Sequence, residues 1–106
     1  MDTNQTGIGG LEITTFKLTG CTYPEFIIAN TDIDYWLQRQ PGFRSRHMAQ
    51  KQDGTIIDML LWDTVKEATQ AMHRLMDEMA SSPVHSMIDQ HTVSWNVFPI
   101  GHELSR

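Results

Sequence analysis

The chain has 106 residues, 40% hydrophobic and 20% charged, with a net charge of −5 and a single cysteine. That size favours one domain able to bury a core unaided, and its 8 basic residues, scattered among 13 acidic ones, leave no electrostatic footprint for nucleic acid or an anionic membrane surface. A lone Cys21 excludes an internal disulfide and a cysteine-based metal site within one chain, and no segment approaches the ~20 apolar residues of a membrane span; the expected location is the cytoplasm.

Residues 1–9, from the stretch MDTNQTGIGG, carry neither a basic start nor an apolar run, so they read as a flexible tail rather than a secretory signal. The folded domain is expected over residues 10–106. Residues 11–18, LEITTFKL, are rich in β-branched side chains and close at Gly20, which predicts a strand. Thr22 followed by Glu25, with Pro24 between them, is a capping-box helix start. At about 100° per residue, Phe26, Ala29, Ile33, Trp36 and Leu37 share one helix face. One continuous helix is therefore expected up to Gln40-Pro41-Gly42, with Ile28 and Tyr35 off the apolar face.

Residues 43–52 and 55–62 flank Asp53-Gly54, a strong hairpin signal. Thr64 with Glu67 forms a second capping box. Val65, Ala68, Met72, Leu75, Met76 and Met79 then make one apolar stripe. Ser82-Pro83 opens a short helix to about Gln90. Residues 92–98 alternate, with Val93, Trp95 and Val97 on one side, and Pro99 ends the strand. This order predicts an α+β, ferredoxin-like βαββαβ domain: an antiparallel four-stranded sheet with helices on one face. Its third strand is apolar on both sides, with Ile57, Met59 and Leu61 opposite Ile56, Leu60 and Trp62. Helices cover only one side, so a second copy of the chain is expected on the other, as a homodimer.

Residues 36–43, WLQRQPGF, followed by Ser45-Arg46, resemble the antibiotic-biosynthesis-monooxygenase-like family. Asp53-Gly54, the strand-ending Trp62, Glu67-Ala68 and Ser82-Pro83-Val84 extend the resemblance over residues 11–98. It implies a dimeric α/β barrel with a cavity beneath its helices. Members include cofactor-free oxygenases of electron-rich polycyclic phenols, haem-degrading enzymes, and proteins without a known reaction. The haem-degrading branch needs an asparagine, a tryptophan and a histidine at places that fall near Thr15 or Phe16, Met72 and Asp89 here. None matches, and only His85, one turn before Asp89, comes near. Trp62 is the one site residue the resemblance carries over.

A two-residue turn at Asp53-Gly54 would pair Ala49 with Asp58, His47 with Leu60 and Ser45 with Trp62, placing His47, Asp58 and Trp62 on one sheet face. In the catalytic reading His47 removes a phenolic proton, Asp58 orients it and Trp62 forms a wall. In the structural reading His47 and Asp58 are a hydrogen-bonded pair at a barrel seam. The same register sends Arg44 and Arg46 to the opposite face, as an anion site or a covered strand edge. Phe26, Asn30, Trp36, Met72 and Met76 are the expected lining of a pocket between helices and sheet, although methionine also fills cores without any ligand. The histidine–carboxylate spacings His73–Asp77 and His85–Asp89 match no strong zinc pattern, so no metal is expected. Cys21 reads as a small structural residue. The function that follows is a cofactor-independent monooxygenase acting on a small aromatic or polycyclic compound. The alternative is a non-catalytic dimer of the same fold that binds a small apolar ligand or serves a structural role by stabilising a partner.

Overall fold

The computed structural model describes residues 8–106. The expected tail therefore lies outside the described residues except for Ile8 and Gly9, and the Gly9 carbonyl already accepts a hydrogen bond from the Ile100 amide at 2.9 Å. The elements run β1 (Gly10–Leu18), α1 (Tyr23–Ala29), α2 (Thr31–Gln38), β2 (Phe43–Gln50), β3 (Ile56–Trp62), α3 (Val65–Glu78), a 3-10 helix (Pro83–Met87) and β4 (Ile88–Pro99). The sheet has the order β2-β3-β1-β4 with every neighbouring pair antiparallel, which is the ferredoxin-like arrangement.

The core forms where the helices meet one face of this sheet. Phe26, Ile33, Trp36 and Leu37 from α1 and α2, with Ala68 and Ala71 from α3, close over Phe16, Ile56, Leu60 and Trp62. On the other face Leu11, Ile13, Ile57, Met59 and Leu61 are only half-buried and belong to no part of that core. Among the described residues no helix is long and apolar enough to cross a membrane.

Four local expectations change, each for a physical reason. The first helix is two, because Asn30 competes for the backbone: its Nδ2 donates to the Phe26 carbonyl at 2.8 Å, and its own amide is shared between the Phe26 and Ile27 carbonyls. The stripe of α3 is rotated. Ala68 and Ala71 touch the sheet, while Met76 is 58% exposed, since small side chains let the helix approach and the methionines flank a cavity. The helix opened by Ser82 ends at Met87, and β4 begins at Ile88 rather than near Thr92. There the β1–β4 register shifts between Thr15 and Lys17, and Thr92 Oγ1 stitches the bulge by accepting from the Lys17 amide at 2.8 Å and donating to the Asp89 carbonyl at 2.6 Å.

The fourth change is the hairpin. The Gly54 amide donates to the Lys51 carbonyl at 2.9 Å, the Lys51 amide to the Thr55 carbonyl at 2.8 Å, and Gly54 has φ +91°. This is a three-residue loop, a turn followed by a left-handed glycine, rather than a two-residue turn. One residue of slip sends each β2 side chain to the other face. Met48 stands opposite Asp58, His47 opposite Met59 and Arg46 opposite Leu60, with a bulge at Arg44 between Phe43 and Ser45.

Both positive-φ glycines at the ends of this hairpin are testable. Gly54→Ala meets nothing within 4 Å, so its expected cost is the left-handed backbone alone, about 1–2 kcal/mol. Gly42, at φ +80°, also faces the Glu67 carboxylate where a Cβ would project, and Gly42→Ala should lower the urea midpoint further than Gly54→Ala.

Candidate active site

A cavity of about 410 Å³ lies between the helices and the sheet, within the size range of small-molecule sites. Phe26, Asn30, Trp36, Met72 and Met76 line it, and so do Asp58 and Trp62. Most of the wall is apolar. Met76 and Val93, at 58% and 40% exposure, mark its mouth. The bulge of β4 turns Gln90 and Val93 toward it, a common use of bulges beside sites.

His47 is exposed and lies outside this cavity. The expected grouping of His47 with Asp58 and Trp62 is corrected by the three-residue loop, which points His47 to the open face beside Met59. Arg46 takes the place expected for it. Its Nε and Nη2 donate to the two Asp58 oxygens at 3.0 and 2.8 Å, its Nη2 also to Asn30 Oδ1 at 2.8 Å, and its Nη1 to Asp34 Oδ1 at 2.8 Å. Arg46 and Asp58 side chains are 13% and 12% exposed, so the pair is largely desolvated. Arg46 and Asn30 also border a smaller cleft of about 330 Å³ beside Ile27 and Met48. Arg44 stays at the surface, paired with Asp63 at 2.8 Å and Glu103 at 3.6 Å.

The sequence reading missed Glu12. It is 6% exposed, projects from β1 into the cavity and accepts the Trp62 indole N–H on Oε1 at 2.8 Å and the Trp95 indole N–H on Oε2 at 2.7 Å. Among the described residues no basic nitrogen reaches ion-pair distance of it. Burial pushes its carboxyl above the ordinary 4.5, and Asp58 adds to that, while the two indoles and Arg46 pull it part of the way back. A signal was present: Glu12, Thr14 and Phe16 alternate with Leu11, Ile13 and Thr15, so the glutamate shares the face of a core phenylalanine.

The other expected features have the following surroundings. Trp62 packs edge-on against Phe43, their centroids 5.5 Å apart, and Trp36 donates to Glu78 at 2.9 Å. His85 borders the cavity, with its Nε2 2.8 Å from the Met79 carbonyl. Asp89 lies in β4 and not one helical turn after His85. Cys21 is half-buried, and burial together with Glu25 pushes its thiol up, away from the reactive thiolate.

No protein-family model and no curated protein matches the sequence. Solved structures do match its fold. SnoaB, a cofactor-independent oxygenase from Streptomyces nogalater, superposes with a TM-score of 0.73 at 15% identity, over 93% of this chain and 99% of that one. The monooxygenase from the gene ActVA-Orf6 of Streptomyces coelicolor, solved in complex with the ligand nanaomycin D, gives 0.63 at 16% identity over 100% and 99%. Rv0793 from Mycobacterium tuberculosis gives 0.69 at 12% identity over 92% and 99%. The chain has the fold of the antibiotic-biosynthesis-monooxygenase-like proteins.

Two stability measurements test the site. Asp58→Ala leaves Arg46 in a largely dry place with Asp34 and Asn30 only, and should cost about 3–5 kcal/mol in chemical denaturation. Arg46→Met combined with Asp58→Leu should cost less than Asp58→Ala alone; a larger loss would mean that the pair contributes more than it costs to bury. Glu12 has a folded-state pKa raised above 4.5, so its contribution is fully present below that value and is lost as pH rises through the higher folded value. Glu12→Gln, which turns an amide N–H₂ toward one indole N–H, should cost about 1–3 kcal/mol. That penalty should be larger at about pH 4 than at about pH 8.

Proposed function

We propose that the chain is a cofactor-independent oxygenase that acts on a small aromatic or polycyclic hydroxyl compound held in the cavity. The observation that carries this reading is a mostly apolar cavity of about 410 Å³, room for roughly two or three fused rings, in a fold shared with a cofactor-independent oxygenase. Deprotonation of a hydroxyanthrone or quinol gives an electron-rich anion that reduces dioxygen itself. In the anthrone case the ring CH₂ becomes a carbonyl, one oxygen atom of O₂ enters the product and the other leaves as water with the two displaced hydrogens. The protein's part is to desolvate the anion, orient it and take its proton. Trp62 walls the cavity, and Asp58 acts through Arg46 to fix the wall at the Asn30 helix break. His47 has no part in this scheme because it lies on the far face.

The reading includes a homodimer. The half-buried Leu11, Ile13, Ile57, Met59 and Leu61, with Phe98 at 48% exposure, make an apolar sheet face that a second copy would cover sheet to sheet. Sedimentation at micromolar concentration should give the dimer mass, and a well-folded lone protomer would remove this part of the reading.

Oxygen uptake with a panel of quinols and hydroxyanthrones, in buffer containing a chelator, is the decisive measurement. The expected result is enzyme-dependent consumption of one O₂ per anthrone oxidised, without added flavin or metal. Absence of turnover on the whole panel, together with tight binding of an apolar dye, would overturn the oxygenase reading in favour of a ligand-binding dimer of this fold.

A further inference from the structure

We propose that Glu12 is the proton acceptor of the cavity, and that the cavity therefore takes neutral aromatic hydroxyl compounds and turns carboxylated ones away. This deepens the oxygenase reading and rests on it.

The geometry leaves Glu12 free to do this. Each of its oxygens accepts one indole N–H, at 2.8 Å from Trp62 and 2.7 Å from Trp95. A carboxylate oxygen has two lone-pair sites, so each keeps a second one for a ligand. The two indoles are satisfied whether the group is a carboxylate or a carboxylic acid. Glu12 can therefore gain and lose a proton without breaking the hydrogen bonds that hold it.

Asp58 on the same sheet face is held differently: both its oxygens accept from the Arg46 guanidinium, so its charge is already balanced by a cation in a largely dry place. The groups facing Glu12 are Asp58 from β3 and Arg46 from β2. The cavity wall supplied by α1, α2 and α3 is uncharged, and His85 of the 3-10 helix is engaged by the Met79 carbonyl. Burial raises the basicity of Glu12 toward that of a useful general base.

In the transfer the ligand O–H bond breaks with its electron pair left on oxygen, and the proton bonds to a Glu12 oxygen. An aryloxide and a neutral acid result, with no change in net charge. An arene carboxylate has no such exchange to offer. It would add a negative charge beside Glu12 and Asp58, and Arg46 has already placed four hydrogen bonds on Asp58, Asn30 and Asp34.

The test uses the full chain and three probes of one shape: 1-naphthol, 1-methoxynaphthalene and 1-naphthoate, titrated near neutral pH by tryptophan fluorescence and calorimetry. The naphthol should bind about ten- to a hundredfold tighter than either other probe, the range for a hydrogen bond to a charged group. Equal affinity for the methyl ether or the naphthoate would overturn the assignment while leaving the cavity as the binding site. Failure of all three to bind would remove the cavity reading and Glu12 with it. Glu12→Gln, checked for fold by circular dichroism, should lose the preference for the naphthol. A second measurement needs no variant: kcat/KM for a hydroxyanthrone should fall as pH is lowered through the raised Glu12 pKa. A profile flat down to the ordinary carboxylate range would count against Glu12.

Discussion

The ion pair between Arg46 and Asp58 ties together the parts of the molecule that bound the cavity. It joins β2 to β3, and through the same guanidinium it holds Asn30 and Asp34 at the break between α1 and α2. A desolvated pair of this kind adds little net stability over an apolar replacement, yet leaving either partner alone is costly. In the hairpin that cost works as a register lock. Slipping β2 by one residue would turn Arg46 to the open face and leave Asp58 beneath the helices without a cation. The slipped sheet would also bring His47 inward, but its single imidazole cannot offer two parallel N–H donors to a carboxylate and reach Asn30 and Asp34 as well.

That lock also explains what the sequence showed and what it hid. The strands, the capping box at Thr22 and the apolar faces were legible because they depend on neighbours within a few residues. The hairpin register was not. Asp53-Gly54 suits a two-residue turn, and it also suits a three-residue loop with Gly54 left-handed, so the local signal names a hairpin without naming its phase. The deciding term is Arg46 against Asp58, twelve positions apart. The helix break at Asn30 has the same origin: asparagine weakens a helix, but whether it ends one depends on a partner such as Arg46. The bulge in β4 was hidden too, because residues 88–90 read as the end of the helix opened by Ser82 and the strand as starting near Thr92, until Thr92 is seen to pair with Lys17. Pocket residues such as Phe26 and Trp36 were found because a core face and a cavity wall share one apolar pattern. Glu12 was hidden because the alternation of β1 does not by itself say which of its two faces the helices cover, although Glu12 shares its face with the core residue Phe16.

Two carboxylates thus point the same way from adjacent strands and meet different surroundings. Asp58 faces a guanidinium that occupies both its oxygens. Glu12 faces two neutral indoles that steady it without neutralising it. Their partners set them apart: the Asp58 charge is balanced by the guanidinium that ties it to the wall, whereas Glu12 has no cation beside it among the described residues and, in the proposed scheme, is the group left to meet what enters. The difference arises on β2, where the loop at residues 51–55 brings Arg46 to the inner face opposite Leu60, beside Asp58 on β3 and one strand further from Glu12 on β1.

The same alternation connects the cavity to the uncovered side of the sheet. On β1, Leu11 and Ile13 point outward on either side of Glu12, and on β3, Ile57 and Met59 do so on either side of Asp58. In the proposed dimer a second copy would press on those outward residues. Strands packed on both faces have little freedom to twist or slide, so covering the outer face would steady the backbone that carries Glu12 and Asp58. Loosening that contact, for example with a charge at Met59, would then reach the site by relaxing β3. The resulting loss would be a blurred preference between ligands, with the cavity still able to take up an apolar ring.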